Sequence, residues 1–158
     1  MATSNKNLSS FSNKNVFDIS QNKFGILVSE WNSEVTEALF TGAVQTLLQN
    51  GASRENIIKK SVPGSYELSL GAQWMAEQKQ IDAVICLGCV IQGETPHFDY
   101  ICQAVANGIT NVGLKYNKPV VFGVLTTLNL QQALDRAGGK HGNKGDEAAI
   151  TAIKMLGF

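Results

Sequence analysis

From Lys23 onward the chain alternates between short, nearly unbroken apolar runs and longer stretches where apolar residues recur every three or four positions. Residues 24–28 form a run of strand length. Residues 83–90 form a longer one, of the kind expected for a strand buried on both faces. Residues 57–62 and 120–125 predict two more strands. Helical patterns fill the intervals. Val35, Leu39, Ala43 and Leu47 repeat at every fourth position, and Asn50-Gly51 supplies a stop. Asn32 or Ser33 is placed to cap this helix, with Glu34 and Glu37 suited to its positive end. Further helices are predicted over about residues 65–79, 98–114, 130–137 and 146–156, with Gly138, Gly139, Gly142 and Gly145 punctuating a turn before the last.

Regular alternation of strand and helix implies a three-layer α/β/α architecture, with a four-stranded parallel sheet and right-handed crossovers. No internal repeat or linker divides residues 23–158, which read as one domain, and residues 1–22 read as an N-terminal extension. In such sheets ligands bind beyond the carboxyl ends of the strands. Those ends are Trp31-Asn32, Pro63-Gly64-Ser65, Gly93 to His97, and Thr126-Thr127.

The third of these carries the most chemistry. Gly93 lets a backbone approach a ligand closely. Glu94 and Thr95 offer amides near a helix start, where unpaired N–H groups and the helix dipole favour an anion. His97 projects into the same crevice, and an imidazole exchanges protons near neutral pH. The same segment reads equally well as a helix-capping loop with a half-exposed histidine. Trp31 can stack on a flat heterocycle, or be an ordinary half-buried aromatic. Glu67 can accept hydrogen bonds from hydroxyls, or simply support a helix start. Arg136 and Lys144 suit phosphate recognition, although a glycine-spaced basic turn is more often a solvated connection. Arg136 matters only if the fold or a neighbouring chain brings it to His97.

Two metal readings fail on spacing. Cys86 and Cys89 lie within an apolar strand, where side chains three apart point to opposite faces. No second Cys/His pair completes a tetrahedral site, so these are expected to be buried free thiols. Glu94, His97 and Asp99 lack a further histidine nearby, His141 being the only other one in the chain. The phosphate-loop and dinucleotide glycine patterns are both missing. Up to this point an unrelated doubly wound phosphate-binding regulator is the favoured reading.

Longer strings narrow the choice. Gly64-Ser65-Tyr66-Glu67, Gly88 through Asp99, Pro119 through Thr127, Arg136-Ala137-Gly138 and Gly142-Asn143-Lys144-Gly145 occur in this order. Together they resemble the 6,7-dimethyl-8-ribityllumazine synthase family, over about residues 22–156. The resemblance implies a flavodoxin-like fold. It implies a transferase of riboflavin biosynthesis that condenses 5-amino-6-(D-ribitylamino)uracil with 3,4-dihydroxy-2-butanone 4-phosphate, releasing phosphate and water. By resemblance, Trp31 stacks on the pyrimidine, Asn32 and Glu67 hold the ribityl chain, and Ser65, Tyr66, Cys89, Val90 and Ile91 line the pocket. The amides of Glu94 and Thr95 match the family's phosphate loop, Arg136 the counter-ion, and His97 the proton-transfer residue. Phe122 and Lys144 match positions contributed by the adjacent subunit. Gln92 replaces an arginine often found there and is assigned no charge role. The family implies neither a cofactor nor a metal. It implies a homo-pentamer, which in some members builds an icosahedral 60-mer, and a functional link to riboflavin synthase. A non-catalytic flavin- or lumazine-binding protein and a shell-forming protein on the same fold are the rival readings.

Composition adds one point. Thirteen Lys+Arg balance thirteen Asp+Glu, which excludes a strongly basic nucleic-acid footprint or a polybasic membrane anchor. The Ser- and Asn-rich start has no apolar h-region, and no apolar stretch approaches the roughly 20 residues of a bilayer span, so a cytoplasmic protein is expected. Charged residues make up only 16% of the chain, against about 25% in ordinary soluble domains. Part of the deficit lies in the 98–114 helix, which carries no charge between Asp99 and Lys115. Ile101, Val105, Ile109 and Val112 form a stripe for the sheet, while Gln103, Asn107 and Asn111 stand where a solvated helix would carry Lys and Glu. A helix without a charged face suggests burial on two sides. Residues 16–20 can add a strand to a neighbouring subunit's sheet.

Overall fold

The computed structural model describes residues 17–158. Strands β1 (Phe24–Ser29), β2 (Ile57–Val62), β3 (Ala83–Ile91) and β4 (Val120–Thr127) form a wholly parallel sheet in the order β2-β1-β3-β4. Phe24 pairs with both Ile57 and Ala83, and Val84 pairs with Val120. The two inner strands are the near-continuous apolar runs, and every residue of β1 is buried. The outer strands are more polar: Lys59, Lys60 and Ser61 of β2 face solvent.

Helices cover both faces. α1 (Ser33–Gln49) and α5 (Lys144–Leu156) pack on one, α2 (Leu68–Ala76) and α3 (His97–Tyr116) on the other. Side chains alternate across a strand, so β3 feeds two cores. Ile85, Leu87 and Cys89 join Phe24, Ile26, Val35, Leu39 and Leu47 on the α1/α5 side. Val84 and Cys86 join Leu27, Leu68, Val105 and Ile109 on the α2/α3 side. The two cysteines therefore point to opposite faces as expected, and no group of three His/Cys/Asp/Glu among the described residues could hold a metal. Full burial of a Leu or Ile contributes about 1.5–3 kcal/mol, and a dozen large side chains are less than 2% exposed. Ile19, ahead of the sheet, is one of them.

Several boundaries differ from the periodicity. α2 is shorter than residues 65–79, because Ser65–Glu67 form a turn in which Leu68 N donates to Ser65 O at 3.2 Å. The glycine-rich turn is a small antiparallel hairpin, β5 (Ala137–Gly139) and β6 (Gly142–Asn143), and Gly138 and Gly142 adopt φ of 114° and 72° to make it. α4 (Leu130–Leu134) is correspondingly short, and α5 starts two residues earlier than expected, capped by Asn143. Asn32 stands at the N-cap of α1 but its side chain does not cap, and neither does that of Ser33. Val16 lies outside the described residues, and 17–20 form no strand within this chain. Among the described residues, no helix is long and apolar enough to cross a membrane.

Candidate active site

The carboxyl ends of β1, β2 and β3 open into one cleft of about 610 Å³. Trp31, Asn32, Ser65, Tyr66, Glu67, Cys89, Val90, Ile91 and His97 line it, together with Gly64 and Ile101. Three elements position these groups. The backbone leaving β1 is tied to β2, with Glu30 N donating to Val62 O at 2.8 Å and Trp31 N to Pro63 O at 3.1 Å. That hold presents the Trp31 ring at the mouth, 74% exposed. Asn32 follows in left-handed backbone, φ 60° and ψ 45°, and its Nδ2 donates to Cys89 O at 3.0 Å. One side chain thus staples the β1–α1 turn to the end of β3, which is why it is not free to cap the helix.

The β2–α2 turn supplies polar acceptors. A Cβ on Gly64 would stand 3.0 Å from a Glu67 carboxylate oxygen, so the glycine leaves room for that group. Ser65 is 7% exposed, and its hydroxyl has no hydrogen-bond partner among the described residues. A buried, unpaired hydroxyl on a cleft wall has capacity for a ligand polar group. Cys89 is no nucleophile, because burial pushes its thiol up to about 11, and Cys86 beneath it up to about 12. His97 opens α3 at the cleft rim and is exposed.

Glu94 and Thr95 lie in the β3–α3 loop, two to three positions ahead of α3 rather than in its first turn. Their amides make no hydrogen bond within the described chain and face solvent. They remain available to an anion, although neither lines the cleft itself.

Phe122, Arg136 and Lys144 are elsewhere. They border a groove of about 1060 Å³ along the outer edge of β4, with Thr126, Thr127 and Glu147. Phe122 is 42% exposed, and Leu114, Met155 and Phe158 on the same groove are exposed too. The fold therefore does not bring Arg136 to His97 within one chain. Lys144 Nζ pairs with Glu147, and Arg136 Nη1 donates to Gln132 O at 2.9 Å. Glu147 is not singled out from the sequence, and Ile101 is expected only as a sheet-facing residue rather than a cleft one. Each lies three or four positions from a chosen residue on the same helix, a spacing that predicts adjacency.

A parallel sheet with an exposed indole ring, polar acceptors and an imidazole gathered at its carboxyl edge defines an α/β enzyme acting on small polar molecules. A sequence profile of the 6,7-dimethyl-8-ribityllumazine synthases matches residues 21–158, and the chain belongs to that family. It is 65% identical to 6,7-dimethyl-8-ribityllumazine synthase of Cytophaga hutchinsonii over 156 residues, covering 99% of this chain and 98% of the relative. Its identity to the proteins of the same name from Parabacteroides distasonis and Porphyromonas gingivalis is 55% and 53%, over 158 residues each, covering all of this chain and 99% and 98% of theirs.

Proposed function

We propose that this chain condenses 5-amino-6-(D-ribitylamino)uracil with 3,4-dihydroxy-2-butanone 4-phosphate to 6,7-dimethyl-8-ribityllumazine, releasing phosphate and water, in sites shared between neighbouring subunits. The observation that carries this reading is the single cleft uniting Trp31, Asn32, Ser65, Glu67 and His97 at the sheet's carboxyl edge. Trp31 stacks on the pyrimidine. Glu67, Asn32 and the unpaired Ser65 hydroxyl take the ribityl chain, and Tyr66, Cys89, Val90 and Ile91 shape the wall. The free amides of Glu94 and Thr95 receive the phosphate, with Arg136 and Lys144 of the adjacent subunit as counter-charges and its Phe122 closing the pocket. His97 moves protons between the amine, the carbonyl and water.

The chemistry needs little else. An amine, a ketone and a phosphate leaving group react readily once aligned, and alignment alone can lower a barrier by about 7–11 kcal/mol. The exposed apolar edge of β4 and the exposed Gln103, Asn107 and Asn111 of α3 support a homo-oligomer, in our reading a pentamer. The short β5–β6 hairpin, free of insertions, is compatible with further assembly into an icosahedral shell. We read residues 1–22 as an arm between subunits, of which 1–16 lie outside the described residues. Three free thiols, at Cys86, Cys89 and Cys102, suit the cytoplasm, where riboflavin synthase would take up the product.

The deciding experiment mixes both substrates with the purified protein and follows fluorescence of the lumazine. Enzyme-dependent product growth is expected. Tight binding of lumazine or flavin without turnover would favour the non-catalytic rivals.

A further inference from the structure

Arg136 and Lys144 bracket a hairpin too small to hold itself in place, three residues in β5 and two in β6. Its ladder pairs Ala137 with Asn143, and just outside that pair Lys144 N donates to Arg136 O at 2.8 Å. The two cations therefore move as a unit. His141 N donating to Asp135 O at 2.8 Å and a Lys140–Asp135 ion pair close the hairpin locally, and the side chain of Asn143 ties it to α1. Asn143 Oδ1 accepts from Gly145 N at 2.8 Å and caps α5, while Nδ2 donates to Ala38 O of α1 at 2.8 Å, across 105 positions of sequence. Asn143 is not among the groove's lining residues, so its polar atoms serve the fold and not a ligand directly. The seat is close-fitting. A Cβ on Gly42 of α1 would lie 2.3 Å from Asp146 Oδ1 and 2.5 Å from Asn143 Cγ and Nδ2, so it presses on both side chains. One on Gly145 would lie 1.9 Å from Leu39 O.

We propose that Asn143 is a positioning residue that sets where Arg136 and Lys144 stand by pinning their hairpin to α1, and thereby governs affinity for the phosphate-bearing substrate. The proposal rests on the reading that those two cations serve the phosphate. α1 is a fitting anchor, since its first residue follows Asn32 of the cleft and its second turn carries Ala38. One helix thus references both halves of the machinery in each subunit.

The test uses the full-length assembled enzyme. Asn143→Ser keeps a hydroxyl able to cap Gly145 N but too short for Ala38 O. Asn143→Asp keeps an acceptor and loses the donor. In both, KM for the ketone phosphate and the inhibition constant of inorganic phosphate are expected to rise about tenfold, the scale set by misplaced contacts. KM for the pyrimidine and kcat at saturation should stay within about twofold of wild type. Gly42→Ala pushes on the same amide from α1 and serves as the second variant if the others fold poorly; the same split is expected. Unchanged constants, or equal rises for both substrates, overturn the proposal. Arg136→Ala is run beside them. If it raises the phosphate constants while the Asn143 and Gly42 variants do not, the positioning role alone fails. If Arg136→Ala leaves them untouched, the phosphate reading fails and takes this inference with it.

Discussion

Asn32 holds a backbone conformation that a side chain other than Gly, Asn or Asp adopts only at a cost of about 1–2 kcal/mol, and it adds a hydrogen bond from turn to sheet. The two contributions are separable. Asn32→Gly retains the left-handed turn and loses the bond, whereas Asn32→Ala loses the bond and adds strain. Urea denaturation is expected to show Asn32→Ala as the less stable variant by about 1 kcal/mol. Equal stabilities would mean that the turn relaxes. At His97 the expectation is kinetic. His97→Ala should lower kcat by about 10²- to 10⁴-fold, the usual range for general acid–base catalysis, while the pyrimidine still binds. Unaltered turnover would remove His97 from proton transfer. Both residues stood out in the sequence, but for unequal reasons. Chemistry made His97 a candidate on equal terms with a plain capping loop, and the family resemblance decided for it. Asn32 was expected to cap a helix, because Asn at a helix start usually does, and only the arrival of Cys89 O beside it redirects the amide.

Among the helices, α1 and α5 form the most extensive pairing, and Gly145 makes their close approach possible. Gly145→Ala would drive a Cβ to 1.9 Å from a backbone oxygen that has no rotamer to escape into. Overpacking of this kind should destabilise by about 3 kcal/mol, measurable as a lower urea midpoint. Asp146, one residue on, offers a pH test. Partial burial raises its carboxyl above the usual 3.8, with Glu147 adding to the rise and a hydrogen bond from Thr46 opposing it. The folded state thus holds this proton more firmly than the unfolded state does. Its contribution to stability is greatest at low pH and is lost as pH rises through the folded value. Relative to Asp146→Asn, the wild type should lose stability as pH rises from below the ordinary aspartate value of about 3.9 through the raised folded-state value. A difference independent of pH would contradict the assignment. α3 shows the reach and the limit of pattern reading. Val105, Ile109 and Val112 face the sheet as their spacing predicts, while Gln103, Asn107 and Asn111 remain exposed in the single chain. Burial on a second side requires another subunit.

For the whole molecule, the separation of the two clefts has a direct consequence. If each site takes its pocket from one subunit and its cations from the next, two inactive variants can repair one another. His97→Ala spoils the pocket half and Arg136→Ala the cationic half. Co-assembly from an equal mixture of unfolded chains should restore activity to about a quarter of the sites, the fraction in which an intact pocket meets an intact neighbour. Light scattering on the wild type should report a homo-oligomer, and a fully active monomer would defeat the shared-site reading. Mixtures as inactive as their components would also count against it.

The alternating apolar runs were enough to determine the layer order, the parallel sheet and the crevice, because buried strands and helices impose different periods on a chain. The family motifs named the chemistry. Three things were decided only by the tertiary structure. Ser65–Glu67 leave the helix and become a cleft wall, the glycine-rich turn becomes a hairpin held by Asn143, and Phe122, Arg136 and Lys144 come to lie on a different surface from His97. The first is a local turn that helical periodicity does not register, and the other two depend on contacts between residues distant in sequence, whose geometry no local spacing encodes.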